Sequence, residues 1–153
     1  MLTYEQRGDK LALSGAIDDT ANVLGLIKHA VRGRLVLDLG GIQFINSIGV
    51  REWIRFQQAA AAAGVQLELH RVAVVLVHQF NIVPATRGTA QIRSFFAPFF
   101  CEDCDAEHDM VLDERLHSDE LRDRVAPPMK CPTCKRLMPF RDPPELFLTF
   151  LKA

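Results

Sequence analysis

LVLDLGGIQFINSIGVREWI, residues 35–54, runs from a nearly continuous apolar stretch through a polar break into an amphipathic one. Residues 35–39 read as a buried strand at the centre of a sheet, because a strand covered on both faces has no solvent side on which to alternate. After Ser47, the residues Val50, Trp53, Ile54 and Ala61 recur at helical spacing; the alanines at 59–63 extend the helix and Gly64 stops it. Asn46, Ser47 and Gly49 stand where the strand ends and the helix begins. A hydroxyl at that point reads first as an N-cap, worth about 1 kcal/mol over Ala.

The flanking sequence alternates strand and helix signals. Leu2 and Tyr4, then Leu11 and Leu13, alternate around Arg7-Gly8-Asp9, as in a hairpin. Asp18, Asp19 and Thr20 offer N-caps to a helix with Val23, Leu24, Ile27 and Val31 on one face, closed by Gly33. VQLELH alternates as a strand. VAVVLVHQF, residues 72–80, carries both strand-favouring valines and a helical stripe; a helix is expected, because a strand at 91–95 pairs in parallel only after a crossover. The expected fold class is α/β, a mixed β-sheet with helices packed on it.

The junction carries a family resemblance. Leu37-Asp38-Leu39, then Phe44-Ile45, then Asn46-Ser47-Ile48-Gly49-Val50 resembles the STAS domain of bacterial anti-sigma-factor antagonists and related sensor proteins. There a strand ending in Asp-Leu leads into Asp-Ser-Ser-Gly-Leu or Asp-Thr-Ser-Gly-Leu at a helix start. With the element order, the resemblance spans residues 1–97. It implies that Asn46, Ser47, Ile48 and Gly49 form a docking surface for a protein partner, an anti-sigma factor or a serine kinase of the partner-switching type. In the family the second hydroxyl residue takes a phosphate, whose charge at a helix start changes docking. Here that position is Ile48, and Asn46 replaces the acid. The resemblance thus implies partner binding without the usual phosphorylation switch, with Ser47 as the remaining phosphoacceptor candidate.

Composition changes near FFAPFF, residues 95–100. Residues 1–100 hold 10 Lys and Arg against 7 Asp and Glu, and residues 101–153 hold 8 against 12, so the second part is acidic. It also contains all four cysteines. Two regions follow: a STAS-like domain over 1–97 and a zinc-ribbon-like domain with a Phe-rich tail over 98–153. Cys101, Cys104, Cys131 and Cys134 form two CxxC pairs separated by 26 residues. Two such turns complete a tetrahedral all-thiolate shell for structural zinc. The gap exceeds the common ribbon spacing of about 15–20; SDELRDR, residues 118–124, fills the excess as a helical or looped insertion capped by Ser118. The residues after each second Cys, Asp105 and Lys135, are not the Gly that many such turns carry. His108 reads as a surface residue rather than a ligand. Phe147, Leu148, Phe150 and Leu151 are expected to pack inside the chain; exposed, they would offer a partner surface or a homodimer contact.

The chain of 153 residues is 48% hydrophobic and 24% charged, with net charge −1, which describes a soluble globular protein. No signal-peptide pattern and no long apolar run is seen, so a cytoplasmic, bacterial signalling protein without membrane partners is expected. No nucleophile–base–acid set, paired carboxylates or Gly-rich phosphate loop occurs, so no enzyme is expected. Three rivals stand beside a non-enzymatic protein-binding module: a small-ligand sensor, as STAS-like folds in sensory proteins can be, for which no residue here selects a ligand, and two more. One is a zinc/thiol redox-sensing switch. The other is a nucleic-acid-associated zinc-ribbon factor, which the acidic second region opposes.

Overall fold

The computed structural model describes residues 1–151. Thr3–Arg7 (β1) and Lys10–Ile17 (β2) form an antiparallel hairpin. Arg34–Ile45 (β3), Gln66–His70 (β4) and Gln91–Ile92 (β5) then add in parallel, giving the order β1-β2-β3-β4-β5. β3 is therefore the central strand, as its apolar run predicts. By the right-handed rule for parallel connections, three steps in one direction put the connecting elements on one face of the sheet, the first step running through the 3-10 segment Leu24–His29 and the others through helices. These are Ser47–Ala62 (α1), Val74–Ile82 (α2) and the short Pro84–Arg87 (α3). Leu35, Leu37 and Leu39 join Trp53, Phe56, Leu76 and Phe80 in the apolar core.

The opposite face is not uniformly apolar. Val36 is buried there, but its register partner is Glu68, and Asp38 lies beside His70. The expectation of a strand apolar on both sides thus fails at Asp38. Glu68 is buried and ion-paired: its carboxylate accepts from Arg34 Nη2 at 2.6 Å and lies 3.0 Å from His70 Nε2 and 3.2 Å from Arg93 Nε. Arg93 also meets Glu114, from the second half of the chain. Burial alone would push the Glu68 carboxyl up, but hydrogen bonds from Arg34 and His70, together with the Arg34 charge and Arg93, outweigh it and hold the pKa at about 2. The network's contribution is therefore complete above the unfolded value of 4.5 and is lost as pH falls through about 2. Wild type is expected to exceed Glu68→Gln in unfolding free energy by about 2 kcal/mol above pH 5. In denaturant titrations that gap should close as the pH approaches 2; a pH-independent gap would contradict the assignment.

Three sequence expectations change. The helix expected after Asp18 is a 3-10 helix, Leu24–His29. Asp18 instead closes a local turn through the Thr20 N–H and hydroxyl, and Gly25 inside the segment disfavours a full α-helix. Val23 and Leu26, three residues apart, are buried, while Leu24 and Val31 are exposed. In α1 the inner face is Gly49, Trp53, Phe56, Gln57 and Ala60, so the expected stripe is rotated and Ala61 is outside. The turn is set by Trp53 Nε1, which donates to the Thr86 carbonyl at 2.8 Å, with Gln57 donating to the same oxygen. The segment 91–95 is not one strand: β5 ends at Ile92 and a second strand starts at Ser94.

Ser94–Cys101 (β6) pairs antiparallel with Ala106–Asp113 (β7). The composition change at residue 97 thus falls inside a strand. Ser118–Arg122 (α4) follows, then the small hairpin Met129–Lys130 (β8) and Leu137–Met138 (β9). Of the two forms open for the insertion, helix or loop, it takes the helix, and His117 rather than Ser118 takes the N-cap position. Pro144–Phe147 (α5) and a 3-10 turn, Leu148–Phe150, close the described chain. The tail packs inward. Phe150 lies 4.9 Å from Phe95 and 6.2 Å from Phe80, and Phe147 lies 5.6 Å from Phe140, which is 4.7 Å from Phe99. Asn81 and Arg87 donate to the Phe147 and Phe150 carbonyls at 2.9 and 3.0 Å. One apolar core therefore runs from Leu11 to Phe150.

Candidate functional site

The end of β6 and the turn after β8 bring the cysteines together. Their four sulfurs lie within 4.8 Å of one another, with Cys101–Cys134 at 3.5 Å and Cys104–Cys131 at 4.0 Å. None is in a disulfide. Sulfurs around a zinc-sized tetrahedral ion, with bonds of about 2.3 Å, stand about 3.8 Å apart. The cluster is compatible with a metal site.

Each turn aims a backbone N–H at its first sulfur. The Cys104 N–H points to Cys101 Sγ at 3.4 Å, and the Thr133 N–H to Cys131 Sγ at 3.4 Å. Asp105 and Lys135, where glycine was missed in the sequence, both adopt left-handed backbone, with φ of +50° and +67°. The turn shape that glycine usually supplies is thus made without it, at a steric cost of roughly 1–2 kcal/mol per residue. Acting as bound thiolates, four sulfurs this close need a cation. The Cys134 and Thr133 N–H groups, with hydrogen bonds from Cys101 and Cys134, outweigh burial and draw Cys131 down to about 6. Cys104 is pushed up to about 12 by the Cys134 and Cys101 sulfurs and by burial. One thiolate therefore opposes the next, and a divalent ion removes the conflict.

His108 is not the surface residue expected. It is half-buried, with Nε2 3.7 Å from Cys131 Sγ. Its place opposite Phe99 in the β6–β7 ladder aims it back over the cluster. Knowing the ladder register was the missing step, since the first CxxC turn fixes the hairpin that carries His108.

At the other site, β3 delivers Asn46 to the start of α1. Asn46, not Ser47, is the N-cap: its Oδ1 accepts from the Gly49 N–H at 2.8 Å. Ser47 is the first helical residue, exposed, with its hydroxyl free of that role. Gly49 lies inside, so it supports this surface rather than forming it. A Cβ there would sit 1.8 Å from the Ile17 carbonyl oxygen at the end of β2. Phe44 and Ile48 flank the cap and are 51% and 40% exposed, leaving an apolar pair in water. Phe44 belongs to β3, whose neighbouring Ile42 and Ile45 are buried. Register shifts between β2 and β3 at Ser14 and Ala16 break the simple alternation and turn it outward.

Among solved structures, that of the anti-sigma factor antagonist SpoIIAA in its unphosphorylated form aligns over 80% of this chain and 98% of its own, at 14% identity and a TM-score of 0.40. No protein-family model and no curated protein matches the chain. Among the described residues no helix is long and apolar enough to cross a membrane.

Proposed function

We propose that this protein is a non-enzymatic, protein-binding regulatory module, similar in kind to an anti-sigma-factor antagonist of the STAS type. Residues 1–97 carry the docking surface and residues 98–153 a structural zinc unit, both resting on a shared core. The observation that carries this reading is the junction itself. A helix start held by the Asn46 cap and the Gly49–Ile17 approach presents Phe44, Ser47 and Ile48 to solvent. A rigid, partly apolar surface suits a protein partner better than a small polar ligand. An anti-sigma factor or a serine kinase of the partner-switching type is the partner class that the motif implies.

Ile48 has no hydroxyl, so the contact is constitutive rather than switched by phosphate. Residues 44–50 of protein purified from its own host should carry no phosphate in a mass scan; phosphate on Ser47 would overturn the constitutive reading. Ile48→Asp places a charge on the apolar surface and should weaken partner capture at least tenfold in pull-downs, with the melting temperature unchanged. Undiminished capture would remove this junction as the interface.

Zinc in the four-cysteine cluster is held by Cys101, Cys104, Cys131 and Cys134. Four protein ligands close the shell, so the ion supplies structure and no bound water for hydrolysis. His108, against Cys131, serves as a neighbour that orients and shields a thiolate rather than as a ligand.

A further inference from the structure

A cavity of about 360 Å³ lies where the edge of the sheet meets the second half of the chain, away from both the junction and the cysteines. Ile92, Leu121 and Leu151 supply its apolar lining, and Arg87, Arg122 and Arg124 its charge. The volume is within the range of small-molecule sites, roughly 300–1,000 Å³. The chemistry is uneven. Glu114 is the one acid on the lining, and it is engaged by Arg93. Arg122 is exposed and held by Asp119 and Asp123.

Arg87 and Arg124 differ from it. Both are partly buried, and among the described residues neither has a carboxylate within ion-pair distance. Their partners are carbonyls: Arg87 donates to Phe150, Gly88 and Ala90, and Arg124 to Leu151. Burial pushes the Arg87 pKa down, since its surroundings only partly replace water around the charge. Arginine keeps its proton even so, and a buried charge without an opposite charge is stabilised by acquiring one.

We propose that this cavity is a binding site for a small organic anion, a phosphate or carboxylate carried on an apolar or aromatic body. The anionic group meets the Arg87 and Arg124 guanidinium groups, with Arg122 at the rim and the Ser118 hydroxyl as a further donor. The body covers Ile92, Leu121 and Leu151. Because the lining comes from β5, α3, α4 and the tail, an occupant bridges the two halves of the chain.

Phenyl phosphate, with phenol and inorganic phosphate as controls, tests this in the full chain by amide chemical-shift titration. Phenyl phosphate should give saturable shifts at Ile92, Leu121 and Leu151 and bind at least tenfold more tightly than either control. Arg124→Gln and Arg122→Gln should each weaken it, Arg124→Gln by about tenfold and more than Arg122→Gln, while Arg124→Lys retains part of the affinity. Melting curves report whether the variants keep their fold. Benzoate in place of phenyl phosphate distinguishes the carboxylate from the phosphate form of the same ligand. Binding that matches phenol, shifts located elsewhere, or indifference to both arginine changes would overturn the proposal. So would binding seen only after a neutral Gly-Ser extension follows Ala153, because the chain's own end would then be the occupant.

Discussion

Stripping the metal with a strong chelator at neutral pH should lower the melting temperature of the whole chain, not only of its second half. The chain as purified should carry about one zinc, and Cys131→Ser should fail to hold it, since three thiolates leave the shell open. The reach of the effect follows from where the ligands sit. Cys101 and Cys131 are buried in the same core as Phe95, Phe99, Phe147 and Phe150, and Phe150 leans on Phe80 of α2. Releasing the ion leaves four close sulfurs to repel as they ionise and frees the two turns that hold Asp105 and Lys135 in left-handed backbone. Calorimetry and metal analysis on the same samples check this. A chelated chain with an unchanged melting curve would mean that the cysteines carry no structural ion. Mild oxidant provides a second arm: one retained zinc with unaltered partner binding would remove the redox-switch alternative.

Gly49→Ala should be the most damaging single methyl group in the first half of the chain, at about 3 kcal/mol. Its Cβ would stand 1.8 Å from the Ile17 oxygen and 2.6 Å from the Ile17 carbonyl carbon, both backbone atoms that no rotamer change can move aside. Either α1 shifts off the sheet or β2 bends, and each path loosens the packing of Trp53 and Phe56 over Leu37 and Leu39. Gly8→Ala is the control. Gly8, unlike Gly49, has a positive φ, +62°, but nothing lies within 4 Å of its added Cβ, so it should cost only the backbone term of roughly 1–2 kcal/mol. Urea unfolding of the two variants decides the matter; equal losses would show that close approach at the junction contributes nothing.

The parts of the fold legible in the sequence were those where one signal acted alone. The apolar run at 35–39 has a single reading, and it is the central strand. The paired CxxC turns bring four sulfurs together whatever the intervening chain does. The misreadings arose where two neighbours competed for one role. Asn46 and Ser47 both make good caps, and which one caps depends on where β3 releases the chain, which a register shift in β2 decides. Gln57 is buried against a partner, the Thr86 carbonyl, that is 29 positions away, which a local period does not contain. Leu24 and Val31 looked internal because a 3.6-residue period was applied to a segment that winds with three. His108 and Arg87 owe their surroundings to elements far along the chain, so local pattern could not reveal them.

The path of β6 also bears on how such a protein can change over time. One strand is bridged at Phe95 to Val72, just beyond the end of β4, and ends at Cys101 of the four-cysteine cluster. An exchange of gene segments at residue 97 would split the four pairs from Ser94–Asp113 to Ala97–Met110 and strip Phe95 from Phe150. Domains joined by linkers can be shuffled as cassettes; this pair has a shared beam in place of a linker. Its two halves must therefore be inherited together, and substitutions in one are accepted only on terms set by the other.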